Sequence, residues 1–425
     1  MHRPIWGAAI LVALWSSSAA AEPITLDAAI ARALAVAPEN QIGIAAGDAA
    51  RAGVITAATR PLGEVTVEAE NAIGSGAYSR FNQAEITASY SQPIENGARR
   101  AARISLAERQ GDVAAAAALT RRLDVAAAVE RAFIDVQIAD AALQIATARL
   151  AQEEALRTEA IRRVRGYKDP LFVETAANGR VAQAGLARDE AHANAAAARA
   201  TLAHFWGGDG SEIEVNGDFL RPDGAGAALL ARADGLLAEA LLASADGLLA
   251  EALLARARAE VTHERASATN DYRWSAGARY LRESRDVALV AGLTIPLGGN
   301  RNRGNIARAE AEERQLAAEQ AADRATRERR LIQLIAMAEA ARTRASRLVR
   351  DIYPINARTL AEVRAGYNRG GFSFQNIIEA ADAIAATQDD WLAAVTRYRD
   401  LLTEIDRLTG RFAAVAAPQM QEDLP

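Results

Sequence analysis

The chain has 425 residues and a formal net charge of -5, from 49 Lys+Arg against 54 Asp+Glu, with 50% hydrophobic residues, only 5% aromatic residues and no cysteine. That length fits two or three ordinary domains or one elongated unit, the charge provides no basic field for a phosphate backbone, and the lack of Cys excludes disulfides, thiolate metal sites and a cysteine nucleophile. Ala fills about a quarter of the chain, and because it is the best helix former yet adds little core volume, the composition points to long, closely packed helices.

Residues 1–21 read as an address. Arg3 precedes an apolar run from Ile5 to Trp15, and Ala19-Ala20-Ala21 offers a small-residue cleavage site before Glu22. This is the pattern of a secretory signal, too short to persist as a transmembrane helix. Beyond Ala21 no apolar run approaches the roughly 18 residues that such a helix needs, so a mature chain entering a membrane does so by strands.

Two structural repeats follow, 22–220 and 221–425, each in the order helix, two strands, long helical hairpin. In the first, a helix is expected from Leu26 to about Thr59, then strands over 62–71 and 84–93. Glu64-Val65-Thr66-Val67-Glu68-Ala69-Glu70 and Glu85-Ile86-Thr87-Ala88-Ser89-Tyr90-Ser91 both alternate apolar and polar residues. A hairpin over 98–206 comes next. Its first arm runs from about Ala98 to Arg165 with no Pro to stop it, a rod on the order of 100 Å long. Gly166-Tyr167-Lys168-Asp169-Pro170 then reverses the chain.

The second repeat opens with a helix expected over about Ala227 to Ala268. Within it, Ala233 to Ala243 read ADGLLAEALLA and Ala245 to Ala255 repeat those residues unchanged, a local duplication that lengthens the helix. Strands are expected over 272–281 and 286–296, where Trp274, Ala276, Ala278 and Tyr280 alternate with Arg273, Ser275, Gly277 and Arg279. A second hairpin over 303–411 turns at Gly366 to Gly371, with Pro354 expected to kink its first arm, and a C-terminal tail closes the chain. Each strand has about the length that crosses a bilayer when tilted, although the alternation alone suits soluble hairpins equally well. The aromatics Tyr78, Phe81, Tyr90, Tyr272, Trp274 and Tyr280 gather in the two hairpins, as an interfacial girdle would require. Four strands cannot close a barrel, and lipid forbids an open edge, so a barrel reading demands an oligomer.

These residues resemble the outer-membrane exit ducts of tripartite efflux pumps, the TolC-like outer-membrane efflux protein family, and within it the branch serving heavy-metal cation pumps. The likeness is most specific in Glu68-Ala69-Glu70-Asn71 through Gly74-Ser75-Gly76, in Ser91-Gln92-Pro93-Ile94-Glu95, in Ile295-Pro296-Leu297 with Arg301-Asn302-Arg303-Gly304-Asn305, and in Ala365-Gly366-Tyr367. It implies a mainly α chain with a small β part, a homotrimer whose strands complete a twelve-stranded barrel in outer-membrane lipid, and a periplasmic helical tube. It also implies a periplasmic adaptor and an inner-membrane proton-driven pump as partners. The function so implied is a passive exit duct, with heavy-metal cations as cargo. A duct for drugs or organic solutes, or a non-transport periplasmic coiled coil, are the alternatives.

Carried over position by position, the resemblance makes Tyr367 a periplasmic gate residue that ties neighbouring hairpins shut, with Glu379 and Asn376 where the family places a pair of acids. Phe372 stands in the place of a gating arginine and Phe172 in that of an acidic partner, so a less charged gate is expected. Glu379 suits a solvated helix face as well. Tyr167, Lys168, Asp169 and Arg369 are placed at the hairpin tips, where an adaptor docks, and as turn residues they need no function at all.

No catalytic constellation and no cofactor-binding motif is expected. His192, His204 and His263 are far apart without a partner at ligand spacing, which argues against a dedicated metal site, and His263-Glu264 lacks the second His of a zinc-protease motif. The cluster Gly207-Gly208-Asp209-Gly210 lacks the Lys-Ser/Thr of a phosphate loop.

Overall fold

The computed structural model describes residues 24–210, 213–215, 244–269, 271–296 and 302–416. The signal segment 1–21, the first copy of the duplicated eleven residues and the tail beyond 416 lie outside the described residues. Helix α1 (Leu26–Val36) starts at Thr25, whose hydroxyl accepts from the Ala28 amide at 3.3 Å, and α2 (Pro38–Ala58) follows at once. A single helix was expected here. Pro38 divides it, because the ring drives the preceding Ala37 into an extended conformation while suiting the first turn of the next helix.

Strands β1 (Glu64–Glu70) and β2 (Glu85–Ile94) flank a 3-10 turn at Gly76–Phe81. The 69-residue helix α3 (Gly97–Arg165) is capped by Asn96, which accepts from the Ala98 amide at 2.9 Å. Helix α4 (Phe172–His204) returns along it. In the second repeat, Ser244 caps α5 (Ala245–Ser267), accepting from the Gly247 amide at 3.2 Å, so α5 begins at the second copy of the duplicated segment. Strands β3 (Tyr272–Leu281) and β4 (Asp286–Thr294) lead to α6 (Arg303–Arg347), one π-helical turn at Leu348–Ile352, α7 (Tyr353–Arg369), α8 (Phe374–Thr409) and the short α9 (Ala413–Ala416). Where a kink was expected at Pro354, a π turn lies just upstream. Pro354 lacks an amide hydrogen, and the widened turn relieves its ring from the carbonyl four residues back.

The strands form one antiparallel sheet in the order β1-β2-β3-β4. Register puts Val65 opposite Tyr90 and Val67 opposite Ala88, then Tyr90 opposite Ala276, Ile86 opposite Tyr280, Ala278 opposite Leu289 and Trp274 opposite Leu293. One face is therefore apolar across all four strands, and its large side chains are exposed, Leu289 at 91%. The other face carries Glu64, Glu70, Glu85, Thr87, Arg273 and Arg279. There Arg273 pairs with Glu64 at 2.7 Å, and Arg279 with Glu85 at 3.0 Å and Glu70 at 3.4 Å.

Below the sheet, arginines of α3 close the end of α2. Arg100 donates to the Ala58 carbonyl at 2.7 Å and Arg103 to those of Ala57 at 2.8 Å and Thr59 at 3.0 Å, meeting the negative end of a helix dipole with positive charge. A belt of core residues halfway along α3 follows, where Leu123, Ala126, Val129 and Phe133 pack with Ile30, Ala33 and Leu34 of α1, Leu202 of α4 and Phe412. The second hairpin has its own core, Leu331, Leu334 and Ala338 of α6 against Tyr398, Leu401, Leu402 and Ile405 of α8. No described helix is long and apolar enough to cross a membrane.

Candidate functional site: the paired hairpin tips

Two turns meet at the end of the molecule far from the sheet along α3. In the first, Gly166 ends α3, Tyr167 takes a left-handed φ of 56° and the Lys168 amide reaches back to the Arg163 carbonyl at 2.9 Å. That closure folds the Asp169 side chain inward. In the second, Gly370 ends α7 at φ 88°, a conformation open to Gly without strain, and its neighbour Gly371 donates to the Gly366 carbonyl at 3.0 Å. Ser373 and Asn376 then form a capping box that starts α8.

The seam between the tips is apolar at its centre. Tyr367 is fully buried among Leu156 and Ala160 of α3, Val173 and Ala177 of α4, and Phe374, Ile377 and Ala381 of α8, and its ring lies 6.0 Å from that of Phe374. Gly366 lets the Phe372 ring lie close beside it, where a Cβ would overlap that ring.

Onto this core the fold brings a buried polar triad. Arg163 grips Asp169 with two parallel bonds of 2.9 and 3.0 Å, lies over the Tyr367 ring with 4.2 Å from guanidinium carbon to centroid, and donates to the Tyr367 carbonyl. The Tyr367 hydroxyl donates to the same Asp169 carboxylate. The first hairpin is thus joined to the second through one side chain. Hydrogen bonding from Arg163 holds the Asp169 carboxyl below the usual aspartate range, and burial together with Asp169 raises the Tyr367 phenol well above its ordinary value. Both groups keep the charge states that the bond needs.

A polar ladder continues upward from the triad. Glu159 of α3 takes Arg364 at 2.8 Å and Asn368 at 3.0 Å, both from α7, while Arg162 reaches Asn368 at 3.0 Å. Higher still, Arg180 of α4 bridges Glu153 of α3 at 2.6 Å and Asp382 of α8 at 2.7 Å. Arg149 of α3 meets Asp389 at 3.0 Å and the Ala385 carbonyl at 3.1 Å. Every rung joins the first hairpin to the second.

Among the residues singled out from sequence, Tyr367 and Asp169 come together in the triad. Asn376 serves the capping box, its amide oxygen accepting from the Ser373 amide at 3.1 Å, and Glu379 is exposed on α8, where Gln375 donates to it at 3.3 Å. Tyr167 is 99% exposed, and Lys168 and Arg369 are exposed beside it. Phe172 and Phe372 are exposed on the two tips, and beside them Asp169 and Arg163 of the first hairpin supply an acid and a guanidinium at the seam with the second. Arg163 escaped sequence reading because Arg162-Arg163-Val164-Arg165 looks like a solvated helix end, and nothing in its spacing marks the one arginine that turns inward.

Among the described residues there is no group of three or more His, Asp or Glu able to hold a metal ion. The amino-acid sequence matches the protein family described as "Outer membrane efflux protein" over residues 29–208. It is 29% identical over 396 residues to the cobalt-zinc-cadmium resistance protein CzcC of Cupriavidus metallidurans, covering 92% of this chain and 91% of that one. Among solved structures, a crystal structure of CusC is similar with a TM-score of 0.72 at 17% identity, covering 90% of this chain and 91% of that one. The outer membrane protein VceC of Vibrio cholerae is similar with a TM-score of 0.69 at 14% identity, covering 91% and 96%. At such identities these two structures speak to the fold.

Proposed function

We propose that the chain is a member of the outer membrane efflux protein family, whose model it matches over residues 29–208, and that it is the outer-membrane exit duct of a tripartite efflux system, passively conducting heavy-metal cations delivered by a periplasmic adaptor and an inner-membrane proton-driven pump. The observation that carries this reading is the sheet, apolar over one whole face and polar on the other, mounted on helical hairpins on the order of 100 Å long. Within the described residues β1 pairs only with β2 and β4 only with β3, so both edges present unpaired backbone groups. Lipid does not tolerate such edges, and three copies side by side satisfy them in a twelve-stranded barrel with the polar face lining the lumen. That lumen is acidic. Glu68 lies on the polar face of β1 beside Glu64 and Glu70, a charge pattern that favours cations.

The cargo assignment follows the likeness to a cobalt-zinc-cadmium resistance protein. The triad at the tips is the closed gate of this duct, with Tyr367 tying the second hairpin to the first, while exposed Tyr167, Lys168 and Arg369 form the surface offered to the adaptor. Glu379, with Asn376 one helical turn before it, faces the aperture. The test is the tolerance of a strain lacking this chain to zinc, cobalt, cadmium, copper and silver, with a panel of organic drugs alongside. Selective loss of metal tolerance, restored by the wild-type chain, is the expected result. Loss of drug tolerance alone would keep the duct and reject the cargo.

A further inference from the structure

Far from the tips, in the belt halfway along α3, two acidic side chains are buried together. Glu130 of α3 and Asp406 of α8 are each 1% exposed. Asp406 Oδ2 accepts from Arg411 at 2.6 Å, but Asp406 Oδ1 and both carboxyl oxygens of Glu130 find no donor in the protein as bare carboxylates. The two carboxyl groups lie near enough for each to act on the other's protonation. Two ionised carboxylates cannot bond, since neither has a hydrogen to give, and buried side by side without one they leave orphaned acceptors as well as repelling charges. The other charged or titratable groups facing the pair are Arg399 and Tyr398 of α8, Arg411 in the turn after it, and Asp27 of α1 acting on Arg411.

We propose that Glu130 and Asp406 share one proton, and that this carboxyl–carboxylate bond is a pH-sensitive tie fastening the end of α8 to the middle of α3, closed while the proton is held and loosened when it leaves to solvent. Arg411 fixes Asp406 as the ionised partner, which leaves Glu130 to carry the proton. Burial, then the Asp406 charge, pushes the Glu130 carboxyl up to about 8 from 4.5. Because the folded value lies above the unfolded one, the tie's contribution is complete below pH 4.5 and is lost progressively as pH rises to about 8. Helix α8 is the return arm of the second hairpin, so the tie sets how firmly that hairpin is anchored in the belt, whatever the chain conducts.

The experiment is amide hydrogen exchange on the full chain in detergent, corrected for the intrinsic pH dependence of exchange. Between about pH 6 and about pH 9.5, segments 126–137 and 399–411 should lose roughly tenfold in protection while the tip segment 156–164 does not change. Glu130→Gln, which keeps a donor but cannot titrate, should remove the pH dependence. Infrared spectroscopy of the wild-type chain gives a second readout should that variant fail to fold, with a buried protonated carboxyl band present at the lower pH and gone at the higher. Unchanged protection in the wild type, pH dependence surviving in Glu130→Gln, or absence of the infrared band would each overturn the proposal.

Discussion

Tyr367 shows how much one side chain is asked to do. Its ring fills the core between the tips, its carbonyl takes Arg163 and its hydroxyl takes Asp169. Tyr367→Phe keeps the packing and deletes the last of these, a hydrogen bond to a charged group worth about 1.5–3 kcal/mol. If the triad is the closed gate, that loss shifts the closed–open balance roughly 10- to 100-fold, which single-channel conductance in planar bilayers measures as more frequent opening. Arg163→Lys should act similarly, because an ammonium cannot reproduce the two-pronged grip on Asp169 or the stacking on the ring. Acid is not expected to open the tip under ordinary conditions. Asp169 is held below the usual aspartate value, so its contribution is present above that value and is lost only as pH falls through the lowered one. The tip and the belt therefore respond to opposite ends of the pH scale. Conductance rising between neutral pH and about pH 5 would contradict the assignment of Asp169 as the ionised acceptor.

Among the elements, the strands are where a sequence pattern turns directly into a surface. Period-two alternation places Leu289 on the apolar face and Thr66 on the polar one, whatever the rest of the chain does. Leu289→Arg should cost about 2–4 kcal/mol if that face meets the middle of a bilayer, and Thr66→Arg should cost little. Recovery of each variant from the outer membrane reads the difference, and equal recovery would reject the lipid assignment. The arms of the second hairpin pose a different problem, since Pro354 interrupts a helix whose two sides must still present Leu331 and Leu334 to one partner and Tyr367 to another. A π turn absorbs the interruption. Pro354→Ala removes the steric reason for the widened turn, and a modestly higher thermal midpoint is expected.

For the whole molecule, the proposed duct needs partners at the edges of β1 and β4, which are unpaired among the described residues. The chain has no Cys of its own, so pairs of engineered cysteines, one along Glu64–Glu70 and one along Asp286–Thr294, report edge-to-edge contact without background. Oxidation in membranes should produce a ladder ending at three copies. A chain that stays monomeric, or that is recovered without detergent, would remove the barrel and with it the lumen reading of Glu68. The arginine-rich ladder between the hairpins, by contrast, closes within one copy, from Arg149 down to Arg163. If the tips form the proposed gate, opening it breaks contacts inside a subunit as well as any between subunits.

The sequence by itself determined the mainly helical class, the long α3 with its Ala-rich and Pro-free run, and the two faces of every strand, because helix propensity and side-chain periodicity are local properties. Turn residues marked the two tips, and the family resemblance singled out Tyr367. Tertiary structure alone decided which polar groups are partners. Arg163 stands in a run with Arg162 and Arg165 that gives it no distinguishing mark, and only the approach of α7 to α3 brings it to Tyr367. Glu130 and Asp406 lie on helices that no local pattern pairs, and their shared burial depends on where α8 ends against the belt. Hydrogen bonds and buried charges are made across helices, between residues far apart in the chain, and local spacing carries no record of that distance.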